Sequence, residues 1–294
     1  MTKASGLTML TRTREEALAI VSEAFSVVHL RSDQLEQLIV AYSRYSDFHC
    51  DNCHKTGNII TLWALTNSTN ELRTEVCHCA EFKRVNDALK SRIEQSGIPE
   101  KYQTASTEKW QSTAKTQVEE TLNRASLLII NSYVEKLDRM RKLGYGLFLC
   151  GPNGVGKTYL ACAIAIKAVT ASYDVKYYTM PKIVRTVIDG WYDDAKGEII
   201  RDIEESDFLV IDDLDKSYKT KTQIEISVLD NLFRERLQNN RPMIVTSNRT
   251  LSQVEESHGS SIHSMFREHC ADCVILGTDY RDGIADRMVK DILS

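Results

Sequence analysis

The chain has 294 residues, of which 42% are hydrophobic, 27% are charged and four are prolines. These values exclude a largely disordered chain, and the length is sufficient for one sizeable α/β domain with a smaller module. The formal net charge of −4 gives no global basic field, so any contact with nucleic acid must come from a local patch or from several subunits side by side.

The first residues, 1 to about 47, carry the pattern of helices. Apolar side chains recur every three or four residues in TREEALAIVSEAFSVV and RSDQLEQLIVAYSRY, and neither segment contains glycine or proline. Charges interrupt the N-terminal run MTKASGLTMLTRTREEALAI, and no stretch approaches the roughly 20 apolar residues of a membrane span. We therefore expect a cytoplasmic protein that does not insert into membranes.

Two close cysteine pairs follow, Cys50-x-x-Cys53 and Cys77-x-Cys79, and they flank a strand-like run, NIITLWAL, and a turn-like run, TNSTN. Four thiolates in two pairs suit tetrahedral zinc, which would stabilise a region too small to build its own core. We predict that the four cysteines bind Zn²⁺; a redox dithiol is the alternative. A neighbouring histidine could replace one thiolate, and the candidates are His49, His54 and His78.

The predicted domain boundary follows a helical pattern over residues 81 to 96. This pattern ends at SGIPEKY, where Gly97 and Pro99 interrupt it. We predict an N-terminal helical and zinc-binding domain over residues 1–96, a linker over 97–120 and an ATPase domain over 121–294.

Helical and strand patterns alternate from residue 121 onward. TLNRASLLIINSYVEKLDRMRKL predicts one amphipathic helix. The strand-like runs are YGLFLC, VKYYTM, FLVID, PMIVTSN and CVILG, and helical runs separate the first four. Short apolar strands that alternate with helices predict an α/β fold, with a five-stranded parallel sheet covered on both faces.

The octet GPNGVGKT, residues 151–158, joins YGLFLC to the next helical run. It matches G-x-x-x-x-G-K-[ST] at every fixed position and in the required strand-loop-helix context. Its backbone N–H groups and the helix N-terminus suit phosphate, Lys157 would reach the β- and γ-phosphates, and Thr158 would bind Mg²⁺. The residues that we predict to contact ATP are Gly151, Pro152, Asn153, Gly154, Val155, Gly156, Lys157, Thr158, Tyr159 and Asp212.

Polar side chains end two later strands. FLVIDDLD provides Asp212 for the magnesium shell and Asp213 to orient or activate the attacking water. PMIVTSN ends in Asn248, which could hold that water near the γ-phosphate, because ligands lie at the carboxyl ends of strands in such sheets.

As an ordered set, these segments resemble the AAA+ ATPases of the DnaC/DnaI type, the replicative-helicase loaders, with the IstB transposition ATPases as close relatives. The matching segments run from about residue 50 to 285: CDNCHKTG with CHC, SGIPEKY, GPNGVGKTYLACAIA, FLVIDDLD, LFRERLQNNRPMIVTSN and ILGTDYRDG. The resemblance implies an ATPase that forms a ring or spiral, binds single-stranded DNA and delivers a hexameric replicative helicase onto it during the initiation of DNA replication. It also assigns helicase docking to the N-terminal helices and the cysteine module.

The resemblance further assigns phosphate contacts to two arginines. In this family an arginine of the neighbouring subunit contacts the γ-phosphate, but its expected position, after Ser264, holds Met265, and Arg267 lies two residues later. Either Arg267 serves, or activation between subunits is weak. Arg281 in TDYRD matches the arginine that contacts phosphate within one subunit. The Asp-Asp pair, where most AAA+ proteins have Asp-Glu, implies slow hydrolysis.

Cations and aromatic residues mix between residues 182 and 203. Lys182, Arg185 and Arg201 accompany Trp191 and Tyr192, which could stack on bases, although nearby acidic residues equally fit a solvated amphipathic helix. The cysteines outside the two N-terminal pairs are predicted to be small core residues; they are Cys150, Cys162, Cys270 and Cys273.

Two other functions fit the same motifs. A transposition ATPase of the IstB type would assemble on duplex DNA and recruit a transposase, but the resemblance places zinc ahead of the ATPase in the loader branch. An adaptor that uses nucleotide as a switch, with little hydrolysis, is compatible with Met265. A helicase loader is the function that we predict.

Overall fold

A computed structural model describes residues 58–64, 70–76, 78–189, 197–216 and 223–293. The predicted helices of residues 1–47 lie outside this part of the chain. Three of the four predicted zinc ligands, Cys50, Cys53 and Cys77, also lie outside it, so the zinc site stays a prediction. The chain divides into two compact units, Met1–Ala88 and Leu89–Ser294.

The first unit contains an antiparallel hairpin. Strand β1, Asn58–Ala64, pairs with β2, Asn70–Val76, so that Asn58 lies opposite Val76. This confirms the strand predicted in NIITLWAL, between the cysteine pairs. Helix α1, His78–Gln95, begins three residues before the predicted start at residue 81, so Cys79 belongs to its first turn.

The segment predicted as one helix over residues 121–143 is helical, but it contains two helices: α2, Gln117–Glu135, and α3, Leu137–Leu143. The prediction of a single helix was wrong. Lys136 separates them with φ −120° and ψ 30°. A capping box starts α2: the Thr116 hydroxyl accepts from Glu119 N at 3.2 Å, and the Glu119 carboxylate accepts from Thr116 N at 3.1 Å. Apolar periodicity continues across Lys136, so the pattern did not indicate the break.

Five strands of the second unit form a parallel sheet: β3, Gly146–Cys150; β4, Val175–Thr179; β5, Phe208–Asp212; β6, Met243–Ser247; and β7, Cys270–Val274. Their order across the sheet is β4-β5-β6-β3-β7. Every residue of β3, β5 and β6 is buried, which explains why the sequence shows these strands as continuous apolar runs. The predicted α/β fold with a five-stranded parallel sheet is confirmed.

Strand β7 is shifted from the predicted CVILG, residues 273–277. It pairs with β3 from Gly146 opposite Cys270 to Cys150 opposite Val274. As an edge strand it exposes Ala271 and Asp272, so its first half lacks the apolar signal of the central strands.

Helices cover both faces of the sheet because alternate strand residues point to opposite sides. Leu147 and Leu149 of β3 pack with Leu160 in one apolar cluster, whereas Phe148 packs with Phe266 in a second. Cores of this kind gain about 1.5–3 kcal/mol for each fully buried large apolar side chain. The helices are α4, Lys157–Thr170; α5, Met180–Asp189; α6, Gly197–Glu205; α7, Gln223–Gln238; α8, Leu251–His258; α9, Ser260–His269; and α10, Asp282–Leu293.

The segment from residue 97 to 116 packs on this unit. Ile98 and Ala105 are buried in the first cluster, and the Trp110 indole N–H donates to Val155 O at 3.2 Å. It contains two short 3₁₀ helices, Glu100–Tyr102 and Thr107–Lys109. The segment thus reaches the phosphate loop, and the boundaries of the predicted domains and linker remain predictions.

Three predicted core cysteines, Cys150, Cys162 and Cys273, are buried free thiols, and Cys270 is half-buried. Burial is the main reason that the pKa of Cys150 is raised to about 12. The described ranges hold no group of three or more side chains suited to a metal ion. None of their helices is both long and apolar enough to cross a membrane.

Candidate nucleotide-binding site

The loop between β3 and α4 has a backbone that depends on glycine. Gly154 has φ +75° and Gly156 has φ +95°, conformations that other residues rarely adopt. A Cβ on Gly154 would lie 1.7 Å from Asp279 Oδ1, and one on Gly156 would lie 2.4 Å from Trp110 Nε1. The loop therefore excludes larger residues at both positions, as a tight phosphate-binding turn requires.

Lys157 lies at the start of α4, largely buried. Its ammonium group donates to Gly151 O at 2.9 Å, Pro152 O at 2.7 Å and Asn248 Oδ1 at 2.8 Å. Burial lowers the pKa of Lys157, although the nearby carboxylates oppose this shift. All three acceptors are neutral oxygens, so a nucleotide phosphate would offer this lysine a stronger, charged acceptor.

The carboxylate of Asp212 lies at the carboxyl end of β5 and is buried. Its Oδ1 accepts from Thr158 Oγ1 at 2.8 Å and from Thr246 Oγ1 at 2.6 Å. Its Oδ2 accepts from the Tyr177 hydroxyl at 2.6 Å. The structure thus brings together Thr158 and Asp212, the two predicted magnesium ligands, and adds Tyr177 and Thr246, for which the sequence predicted no role.

The residues present fit Mg²⁺. This ion prefers oxygen ligands and is usually bound through one or two carboxylates together with substrate phosphates. The Thr158 hydroxyl and the Asp212 carboxylate are such ligands, and they lie beside the loop that would hold the phosphates.

Asp213 lies in the turn after β5 with φ +57°. Its backbone N–H donates to Thr246 Oγ1 at 2.9 Å, and its carboxylate accepts from Lys216 Nζ at 2.8 Å. Asp213 is among the residues that line the cavity described below.

Asp215 holds the end of β6 in place. Its carboxylate accepts hydrogen bonds from Ser247 Oγ at 2.9 Å and from the Asn248 backbone N–H. This contact orients Asn248, whose side-chain oxygen accepts from Lys157. Asp215 was not predicted to have a role, although it belongs to the acidic run DDLD.

A cavity of about 850 Å³ is bordered by the phosphate loop, Asp212 and Asn248. This volume is within the usual range for small-molecule sites, about 300–1,000 Å³. Tyr102 and Trp110 border the cavity, as do most of the predicted ligands. The predicted residues that line it are Asn153, Gly154, Val155, Gly156, Lys157, Thr158, Tyr159, Asp212, Asp213, Asn248 and Arg281.

The two predicted arginines have different positions. Arg281 borders the cavity and pairs through Nε with Asp279 Oδ1 at 3.3 Å. Arg267 is exposed on α9 and is not among the residues that line this cavity, whereas Met265 is buried. A role for Arg267 would therefore require a neighbouring subunit.

The candidate DNA-binding segment is described only in part. Lys182 lies on α5 with its ammonium 4.8 Å from the centre of the Tyr178 ring, and Arg201 is exposed on α6. Trp191 and Tyr192 lie outside the described residues, so the interface stays a prediction.

The sequence is similar to two classes of known protein: ATP-binding proteins of insertion sequences and a replicative helicase loader. The chain is 26% identical over 140 residues to the ATP-binding protein of insertion sequence IS21 from Pseudomonas aeruginosa, which covers 46% of this chain and 52% of that protein. It is 27% identical over 105 residues to the replicative helicase loader DnaI of Bacillus subtilis, which covers 36% of this chain and 33% of that protein. The chain thus spans about half or less of the length of these relatives.

The fold is similar to that of a crystal structure of the DnaC helicase loader. The TM-score is 0.50 at 21% identity, and the match covers 60% of this chain and 99% of that one. At this identity the likeness concerns the fold alone, an α/β fold of the AAA+ type.

A family model gives the broader assignment. The model of the IstB-like ATP-binding proteins matches residues 106–265. This range includes the phosphate loop and the carboxyl ends of strands β5 and β6. The chain therefore belongs to the IstB-like ATP-binding protein family, AAA+ proteins related to the DnaC/DnaI helicase loaders and to the IstB proteins of insertion sequences.

Proposed function

We propose that the chain hydrolyses ATP with Mg²⁺ at this site. The contact between Thr158 and Asp212 carries the proposal, because it places a hydroxyl and a carboxylate where the phosphate loop would present the β- and γ-phosphates. Lys157 binds the phosphates, Asp213 and Asn248 hold the attacking water, and Arg281 contacts phosphate once its pairing with Asp279 is released. When bound, Mg²⁺ neutralises charge on the phosphate oxygens.

We further propose that hydrolysis is slow. The Asp213 carboxylate accepts from Lys216 Nζ at 2.8 Å, and the shorter aspartate side chain reaches a water molecule less readily than a glutamate would. Arg267 would complete the site from the neighbouring subunit of a ring or spiral, since a guanidinium can follow charge onto the transition state.

The biological role that we propose is the loading of a hexameric replicative helicase onto single-stranded DNA. The similarity to DnaI supports this role. So does the sequence of the first unit, where cysteine pairs predicted to bind Zn²⁺ flank the hairpin of β1 and β2. This module and the preceding residues would dock the helicase.

A transposition ATPase is the second candidate. The curated relatives include ATP-binding proteins of several insertion sequences, among them that of IS21. In this role the chain would assemble on duplex DNA with ATP and recruit a transposase.

DNA preference separates the two roles. Fluorescence anisotropy would compare single-stranded and duplex oligonucleotides of equal length, with ATP and Mg²⁺, for the wild type and for Lys157→Ala. A loader is expected to prefer the single strand and to lose this preference in Lys157→Ala. A preference for duplex DNA would favour the transposition role.

Capture of a partner tests docking. Purified chain with ATP would be used to recover proteins from host-cell extract, alongside the double variant Cys50→Ser, Cys53→Ser and the control Cys270→Ser. Recovery of a replicative helicase by the wild type and the control, but not by the double variant, is expected. Recovery of a transposase would contradict the loader role.

A further inference from the structure

The two oxygens of the Asp212 carboxylate have different partners. Oδ1 accepts from Thr158 at 2.8 Å, beside the phosphate loop, and from Thr246 of β6 at 2.6 Å. Oδ2 points to the strand on the other side and accepts from the Tyr177 hydroxyl at 2.6 Å. Tyr177 and Asp212 are 7% and 4% exposed, so water has little access to this second contact.

The strand order makes this contact possible. Tyr177 on β4 lies opposite Val210 on β5, and both side chains belong to the same apolar cluster. Asp212 follows Val210 by two residues, so it lies on the same face of the sheet. The length of the phenol ring spans this offset, so its hydroxyl meets the carboxylate at the end of β5. The run VKYYTM predicts a buried strand but gives no sign of this contact, because a tyrosine at position 177 is equally expected as an apolar core residue.

The hydroxyl acts as a donor. Burial first, and then the nearby Asp212 carboxylate, raise the pKa of Tyr177 well above its usual value. An ordinary phenol is already protonated at neutral pH and an ionised carboxylate can only accept, so in this contact the Tyr177 hydroxyl donates to Asp212. A buried carboxylate oxygen without such a donor would carry a substantial desolvation cost.

We infer that Tyr177 is a positioning residue for the magnesium site: by holding Oδ2 of Asp212, it keeps Oδ1 beside Thr158 and directed at the nucleotide phosphates. The inference rests on the proposed magnesium-dependent binding of ATP. Groups that orient metal ligands in this way typically change metal affinity or activity about 10–100-fold when they are removed.

Equilibrium binding of a fluorescent, non-hydrolysable ATP analogue tests the inference without any need for turnover. Nucleotide affinity would be measured across a magnesium titration and in EDTA for the wild type and for Tyr177→Phe. The matched control is Tyr178→Phe, the same chemical change one residue further along β4, where the hydroxyl donates to Asp202 at 2.8 Å.

Tyr177→Phe is expected to need about tenfold more Mg²⁺ for the half-maximal gain in affinity. Its affinity in EDTA is expected to stay within about twofold of the wild type, because the phosphate loop and Lys157 are unchanged. Tyr178→Phe is expected to match the wild type in both conditions. The Phe ring retains the apolar contacts of Tyr177, so both variants should fold, and thermal melting would verify this.

Three results would overturn the inference. The first is an unchanged magnesium requirement in Tyr177→Phe. The second is an equal loss of affinity in EDTA and in Mg²⁺, because a general disturbance of the site would cause it. The third is a wild type whose nucleotide affinity does not respond to Mg²⁺, which would also contradict the proposed magnesium site. Failure of the Tyr177 inference alone is therefore distinguishable, because the wild type would then still respond to Mg²⁺.

Discussion

Asp213 combines two features that determine its chemistry: it borders the cavity, and Lys216 binds its carboxylate at 2.8 Å. We expect Asp213→Asn to lower kcat about 100-fold, because an amide cannot accept a proton from water. ATP binding should change less than about twofold, since Lys157 and the loop remain. Phosphate release and nucleotide binding, measured on the same preparation, check this. An unchanged kcat would show that Asp213 does not activate the water.

Asp279 places a negative charge against the phosphate loop. Its carboxylate lies beside Gly154 and pairs with Arg281 at 3.3 Å. We expect Asp279→Asn to bind ATP about threefold more tightly at low salt, because it removes a repulsion and frees the arginine, and this gain should shrink in high salt. Asp272→Asn is the control: this carboxylate is on strand β7, where it accepts from Cys150 Sγ at 3.5 Å, and it is not among the residues that line the cavity. Weaker ATP binding by Asp279→Asn would show that the carboxylate supports the loop.

At the scale of elements, Arg236 joins α7 to two neighbours. It is fully buried and donates to Ile203 O, to Ser206 Oγ at 3.1 Å and to Pro242 O at 3.2 Å. The guanidinium thus holds the end of α6 and the start of β6 around the end of α7.

Removal of this side chain would leave buried oxygens without donors and open a cavity. We expect Arg236→Ala to lower the free energy of unfolding by about 3 kcal/mol. Arg234→Ala is the control: its exposed guanidinium pairs with Asp230, four residues earlier on the same helix, and donates to Ser261 Oγ at 3.0 Å, contacts that should together contribute below about 1 kcal/mol. Urea denaturation of both variants checks this. Equal losses of stability would contradict the role of Arg236.

Sequence patterns predicted the elements whose signals are local. The phosphate loop has fixed spacing between a buried strand and a helix, so its position follows from a few adjacent residues. The bounds of the edge strand β7 and the break at Lys136 were predicted wrongly. The polar residues of an edge strand resemble a loop, and the backbone angles of one residue leave no trace in hydrophobic periodicity.

Contacts between distant segments were beyond the sequence. Tyr177 meets Asp212 only because β4 and β5 are neighbours in the sheet. Asp215 reaches Asn248 across the ends of β5 and β6, and Trp110 reaches the phosphate loop from a segment predicted to be a linker. Each contact depends on strand order or chain path, which apolar periodicity does not encode.

At the scale of the whole molecule, the cysteine pairs predict a bound metal. We expect about one zinc ion per purified chain, with loss of this zinc in the double variant Cys50→Ser, Cys53→Ser. Cys270→Ser, Cys273→Ser is the matched control, because these residues lie in strand β7. Elemental analysis of the three proteins checks this. Zinc that is retained by the N-terminal variant but lost from the control would place the metal elsewhere.

The central claim is that this cavity binds ATP through Lys157 together with Mg²⁺. Calorimetric titration of the wild type and of Lys157→Ala with ATP, with and without Mg²⁺, tests it most directly. The wild type is predicted to bind one ATP per chain and to bind it more tightly with Mg²⁺, whereas Lys157→Ala loses at least about tenfold in affinity. Equal binding by the two proteins, or no binding by the wild type, would contradict the assignment of the site.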